Sequence, residues 1–178
     1  MRTGILILLL CLLNYCSKAQ KFQSEKGTIT FFSHATLEDI AAENRNVSSL
    51  FNTATLDVVF SVPIAAFRFE KSLMQQHFNE KYLESEKYPT ATFQGKVTGY
   101  NLAVIQVQPV TAQGKLTIHG VTHEVEVAGT IEKNGGKLIL KSRFIVKLKD
   151  YQIAIPQLLW QNIAEQVEVE VDLHYTAQ

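Results

Sequence analysis

Alternation of apolar and polar residues runs through most of this chain from Leu56 onward. Val58, Phe60, Val62 and Ile64 share one face, and Asp57, Val59 and Ser61 take the other. Ala91, Phe93, Gly95 and Val97 oppose Thr90, Thr92, Gln94 and Lys96, while Leu116 and Ile118 oppose Lys115, Thr117 and His119. Val125 and Val127 stand against Glu124 and Glu126. Leu138, Leu140, Phe144, Val146 and Leu148 make an apolar face that only Ser142 interrupts. Near the end, Val167, Val169, Val171, Leu173 and Tyr175 oppose Gln166, Glu168, Glu170, Asp172 and His174. A period of two sends successive side chains to opposite faces of a strand, so these runs predict half-buried antiparallel strands with one wet face.

The connections agree with that reading. Asn134-Gly135-Gly136 supplies residues that accept the positive φ of a tight hairpin, and His119-Gly120-Val121 marks a second turn. Long, regular strands favour an all-β barrel or sandwich, and closing the barrel removes edges that invite aggregation. One segment breaks the period: over Lys71 to Leu83, Leu73, Met74, His77, Phe78 and Tyr82 fall on one stripe, with Gln75, Gln76, Asn79, Glu80 and Lys81 opposite. That spacing predicts a single short helix, with Ser72 as its N-cap, packed over a barrel end or wall. Pro156 to Glu165 groups Leu158, Leu159, Trp160 and Ile163 without alternation and reads as a short helix or a lid over a mouth.

The first 19 residues change the picture of where the chain works. Arg2, the apolar run Ile5 to Leu13 and the small residues Ser17 and Ala19 have the order of a secretory signal peptide cut before Gln20, too short to span a membrane. Residues 20–178 then form one exported, periplasmic or secreted domain. A cut before Cys16 would instead give a lipoprotein, but bulky Tyr15 stands where a small residue is wanted. Both cysteines, Cys11 and Cys16, fall in the removed segment, so the domain rests on a core rather than on disulfides. Losing Arg2 and Lys18 takes the 17 basic residues to 15 against 17 acidic ones. Near neutrality without a basic patch argues against nucleic acid and for a neutral or apolar partner, and leaves room for a homodimer.

Candidate chemistry is sparse. His119 and His123 flank a turn and form a two-ligand pair at most, while His77, His34 and His174 suit packing or strand ends. There is no His-Glu-x-x-His, no Cys-x-x-Cys, no Gly-x-Ser-x-Gly and no calcium loop, so no metal, cofactor or catalytic residue is expected. Glu84 with Glu86, and Glu124 with Glu126, read as solvated charge, and Asn46-Val47-Ser48 fits a glycosylation acceptor only in a eukaryotic secretory route. What remains is the inward face: Val58, Phe60, Val62, Phe93, Val104, Ile118, Leu140, Phe144, Val146 and Val169, with Phe78 and Trp160 towards the ends. Eight strands enclose a space just wide enough to be filled by side chains or to hold one small ligand, so periodicity leaves filled and hollow open.

Two blocks resemble the YceI-like family of exported lipid- and polyisoprenoid-binding barrels. The first is His77-Phe78, Tyr82-Leu83-Glu84-Ser85 and then Lys87-Tyr88-Pro89-Thr90-Ala91-Thr92-Phe93. The second is Gly114-Lys115-Leu116-Thr117-Ile118-His119-Gly120-Val121-Thr122. The resemblance covers about residues 25 to 176 and implies an extended, lipocalin-like antiparallel barrel with a helix closing one end. It also implies a long apolar channel for an isoprenoid chain. The expected function is then a non-enzymatic protein holding a long apolar ligand, a polyisoprenoid, isoprenoid quinone or other lipid, with the inward residues above lining the channel and His77, Phe78 and the Leu158 to Trp160 patch at its ends. The chain departs from the pattern at Leu37-Glu38-Asp39-Ile40-Ala41-Ala42-Glu43-Asn44, where the family has a strand leading to Gly-x-Phe. Two other readings compete: a filled barrel serving protein interaction or envelope stress, and an enzyme acting on a small hydrophobic substrate.

Overall fold

A computed structural model describes residues 21–34, 39–155 and 164–178. The leader segment, Cys16 and the Leu158 to Trp160 patch lie outside the described residues. The strands are β1 (Lys21–Ser33), β2 (Ile40–Asn44), β3 (Ser48–Asn52), β4 (Asp57–Pro63), β5 (Arg68–Phe69), β6 (Thr90–Thr98), β7 (Gln108–Ile118), β8 (Val121–Asn134), β9 (Lys137–Lys147) and β10 (Gln166–Ala177). Every pairing is antiparallel, and β1 meets β10 to close a ring of eight staves in the order β1-β3-β4-β6-β7-β8-β9-β10. The fold is thus an all-β, lipocalin-like barrel.

One stave is broken. β2 and β3 follow each other along the same edge of β1, β2 against Ile29–Ser33 and β3 against Lys21–Gln23. The break at Arg45-Asn46-Val47 is held by Asn44, whose buried side chain donates to the Pro63 carbonyl at 2.8 Å and accepts from the Asn46 amide at 2.8 Å. A buried amide of this kind persists because its polar atoms are paired. β5 then pairs with β2 at the upper end, beside the helix.

The alternating faces are placed as the period requires: Val58 and Val62 are buried while Asp57, Val59 and Ser61 are exposed, and Leu138, Leu140 and Val146 are buried between exposed lysines. Two expectations need correcting. The helix is α1 (Ser72–His77), which widens into a π turn at Phe78–Tyr82, with the Leu83 amide bonding to the Phe78 carbonyl. Its N-cap is Lys71 without a side-chain cap, so Ser72 is the first helical residue. Val104 does not point into the barrel: it lies in the β6–β7 connection, where Gln108 bonds back to Asn101 and to the Val104 carbonyl and ends the alternation.

The end of the barrel away from the helix is packed solid. Phe22, Phe51, Tyr100, Ile131, Leu138, Leu173 and Tyr175 are buried there, with Phe22 directly opposite Phe51 and the Phe51 and Tyr100 rings 5.5 Å apart. Gly27 makes room for this plug, since a Cβ there would stand 2.1 Å from Leu173 Cδ2. Tyr175 carries the plug's polar tie. Ser49 Oγ donates to the Val59 carbonyl at 2.7 Å, so the Tyr175 hydroxyl is the donor in its 2.6 Å contact with Ser49. Burial pushes the Tyr175 phenol far above its ordinary value of 10.0.

The raised phenol gives stability a pH dependence of definite sign. Above about pH 10 the unfolded chain releases this proton and the folded chain keeps it, so stability falls as pH rises, by about 1.4 kcal/mol per unit from this group. Urea unfolding of the native chain between pH 9 and 11.5 should show that loss, and Tyr175→Phe should flatten the slope by about one proton. An unchanged slope in the variant would place the alkaline sensitivity elsewhere.

Candidate functional site

Above the plug the same barrel is hollow. A cavity of about 610 Å³ lies between the buried ring and α1. Its floor is set by Val58, Val97, Val110, Leu140 and Val171, and its walls by Phe60, Phe93, Leu116, Ile118, Phe144 and Val146 among others. The plug brings Phe22, Phe51, Tyr100, Leu173 and Tyr175 together, whereas the chamber lining interleaves valines and phenylalanines with the small residues Ala91, Ala112, Gly129 and Ser142. Eight strands fix the radius, so small residues at one level leave space there.

An aromatic ceiling covers the chamber. Phe78 from the π turn stacks on Phe31 of β1 at 5.5 Å and meets Phe69 at 5.0 Å and Phe67 at 5.5 Å, while Phe31 also contacts Phe67 at 5.4 Å. Offset and edge-on pairs of this kind add to the burial of the rings. Met74, His77, Tyr82 and Leu83 complete the underside of the helical segment. Polar groups on the wall are few: Ser33, whose Oγ accepts from the Ala164 amide, Thr92, Ser142, His77 and Tyr82, whose phenol burial pushes up from 10.0.

The helical segment is tied to the barrel rim by the two motif blocks. His119, at φ +52° in the β7–β8 turn, places Nε2 2.8 Å from Glu84 Oε2 and Nδ1 3.2 Å from the Tyr151 carbonyl. Tyr88 lies edge-on to His119 at 4.5 Å, and its ring covers Gly120. His123 donates from Nε2 to the Asp150 carbonyl at 2.7 Å. The histidine pair therefore does not converge on a shared centre; it stitches the hairpin to the turn Leu148–Tyr151. Glu84, expected as solvated charge, is instead half of this tie. No cluster of three metal-ligating side chains occurs among the described residues.

Of the twelve expected lining residues, Val58, Phe60, Val62, Phe78, Phe93, Ile118, Leu140, Phe144, Val146 and Val169 stand on the chamber wall. Val104 does not, and Trp160 lies outside the described residues. Ile29, Phe31, Phe67 and Phe69 also line the chamber and were missed. Thr28-Ile29-Thr30-Phe31 did carry the alternating signal; Phe69 sits on a two-residue strand, and Phe67 just before it, a stretch too short to show a period.

A closed antiparallel barrel with an apolar chamber under a helical cap defines the class of lipocalin-like barrels. Within it the chain belongs to the YceI-like family, whose domain matches residues 18–175. A comparison with curated protein sequences found no significant match. Among solved structures, the fold is similar to a polyisoprenoid binding domain from Saccharophagus degradans implicated in plant cell wall breakdown. That pair has a TM-score of 0.76 and 15% identity, over 88% of this chain and 98% of that one. Burkholderia cenocepacia BcnA follows at TM-score 0.70 and 17% identity, over 83% and 95% of the two chains. The Campylobacter jejuni YceI protein gives 0.63 and 16%, over 82% and 88%.

Gly120 tests the rim tie. It has φ +75°, and a Cβ there would meet Tyr88 Cε1 at 2.6 Å. Gly120→Ala should therefore destabilise the fold by about 1–3 kcal/mol, from backbone strain plus a displaced Tyr88. Gly135→Ala, also at positive φ but with nothing within 4 Å, should cost only the backbone part. Equal losses in thermal unfolding of the two variants would show that the Tyr88 contact adds nothing.

Proposed function

We propose that this chain is a non-catalytic carrier that holds a long apolar molecule, a polyisoprenoid, an isoprenoid quinone or another lipid, in the chamber under α1. The observation that carries the reading is the chamber itself: about 610 Å³, walled by valine, leucine, isoleucine and phenylalanine with a handful of polar atoms. That volume falls inside the ~300–1,000 Å³ range of small-molecule sites, which are apolar with few polar anchors. Binding would be driven by removing apolar surface from water, at about 25 cal/mol per Å². The likeness to a polyisoprenoid binding domain supports the ligand class. The solid plug below sets the depth to which a chain can enter, so the ligand's far end stops at Val97 and Val110 while the other end lies under Phe78.

Two measurements test the carrier. Native mass spectrometry of the protein taken gently from its own host should show an added lipid mass; a bare chain throughout would count against the reading. Ala112→Phe puts a ring into the hollow from a position on the wall. It should lower the affinity for a fluorescent fatty acid at least tenfold while the far-ultraviolet circular dichroism stays unchanged. Undiminished binding in that variant would place the ligand elsewhere.

We further propose that residues 1–19 direct export and are removed, so the working protein begins at Gln20. Intact mass of the protein recovered from the cell envelope should match residues 20–178. A mass corresponding to a chain starting at an acylated Cys16 would replace this with a membrane-anchored lipoprotein.

A further inference from the structure

The barrel wall is not continuous between β8 and β9. These strands form a regular ladder only from Asn134 opposite Lys137 up to Gly129 opposite Ser142. Above that pair, β8 continues for eight residues to Val121, bonded throughout to β7, and β9 continues to Lys147, bonded throughout to β10. Among the described residues, no ladder pair joins Val121–Ala128 to Arg143–Lys147. Two facing strand edges inside a closed barrel are thus left without each other as partners.

Side chains mark both ends of this gap. At its foot Ser142 Oγ donates to the Ala128 carbonyl at 2.7 Å, replacing the ladder bond at the point where the strands part. This is the residue that interrupts the apolar face of β9. At the top, His123 reaches the Asp150 carbonyl and His119 the Tyr151 carbonyl. Between these stitches the charges on the outer banks turn away from the gap. Glu126 accepts from Gln113 and Glu124 approaches Lys115, both on β7, while Arg143 pairs with Glu168 and Glu170 on β10. Glutamates on one bank and cations on the other would attract if they faced each other closely, and they pair elsewhere.

The inner faces of both banks belong to the chamber: Val125 and Val127 line it from β8, Phe144 and Val146 from β9. A hollow on the outer surface at the foot of the gap shares Gly129, Ser142 and Val171 with the chamber wall. Opening this seam breaks no ladder, whereas opening the β4–β6, β6–β7, β7–β8, β9–β10 or β10–β1 seam breaks a run of backbone bonds. From this we infer that the β8–β9 gap is a side window through which an apolar chain passes between chamber and exterior, with α1 acting as a fixed cap.

The inference rests on the carrier reading, and its test separates the two. The sequence holds cysteine only at 11 and 16, so both are changed to serine in the full chain and Glu126→Cys with Ile145→Cys is added. Both new positions are exposed, one on each outer bank, and neither lines the chamber. A bis-maleimide tether across them should slow stopped-flow uptake and release of cis-parinaric acid at least tenfold and leave its equilibrium affinity within twofold. A control tether on Lys115→Cys with Glu124→Cys, which spans the intact β7–β8 ladder, should leave the rates unchanged. Unslowed exchange in the seam-tethered chain would overturn the window and leave the carrier standing. Failure of the untethered chain to take up the probe would remove the carrier and the window with it. Amide exchange gives a readout independent of any ligand. The seam-facing amides of 124–128 and 143–147 should exchange at least tenfold faster than their ladder-facing neighbours, and equal protection would refute the gap.

Discussion

Closure of the ring by β1 and β10 is the constraint on which the rest depends. These strands come from opposite ends of the domain and pair from Phe22 opposite Ala177 to Phe32 opposite Glu168, with one register shift near Ser24 and Lys26. The Gln178 amide adds a bond to the Lys21 carbonyl. Once the ring closes at eight staves its radius is fixed, and the interior at each level is decided by what points inward. Pairing the two ends of the domain carries a loop-closure cost that is recovered only when the plug around Phe22, Leu173 and Tyr175 forms on those same strands. Closure and plug therefore support each other, and neither asks anything of the chamber above.

That division lets one barrel be both filled and hollow. A fully filled barrel would be more stable by the burial of the missing side chains, and a barrel hollow throughout would lack a core to hold it shut. Here the burial is concentrated at the end where β1 begins and β10 finishes. The upper half relies on ladders, on the Phe31–Phe67–Phe69–Phe78 ceiling and on the His119–Glu84 tie. A chamber ringed by apolar side chains with no plug of its own is the part of the structure that a ligand would stabilise most, since anything binding only the folded state adds to its stability.

The staves are legible in the amino-acid pattern because the barrel has one wet face. Val167 to Tyr175 and Val58 to Val62 can be assigned inward from alternation alone, and their partners across the ladder match. Where alternation is short or broken, reading fails for physical reasons. Phe67 and Phe69 flank Arg68 at a strand of only two residues, and Val104 stands in a loop whose turns are made by Gln108 and Asn101 side chains rather than by glycine. The π turn at Phe78 is invisible because its apolar stripe is the same as that of an α-helix to within one residue. Periodicity cannot settle whether the barrel is filled or hollow, because it reports which face is apolar but not how much volume that face occupies.

The two motif blocks take on a more specific meaning through their contacts. Tyr88, with Glu84 just before it, and His119-Gly120 meet at the rim, so one block holds the loop after the helix and the other receives it. His119 and His123 both spend a ring nitrogen on carbonyls of the turn after β9, on the far side of the unpaired seam. The same hairpin thus anchors the cap and spans the top of the gap. A cap held by the His119–Glu84 tie and a seam held only at its ends differ in how much must break for each to open. The cap costs the His119–Glu84 hydrogen bond and an aromatic cluster; the seam costs the separation of Val121–Ala128 from Arg143–Lys147, which share no ladder. By that comparison the wall yields before the lid.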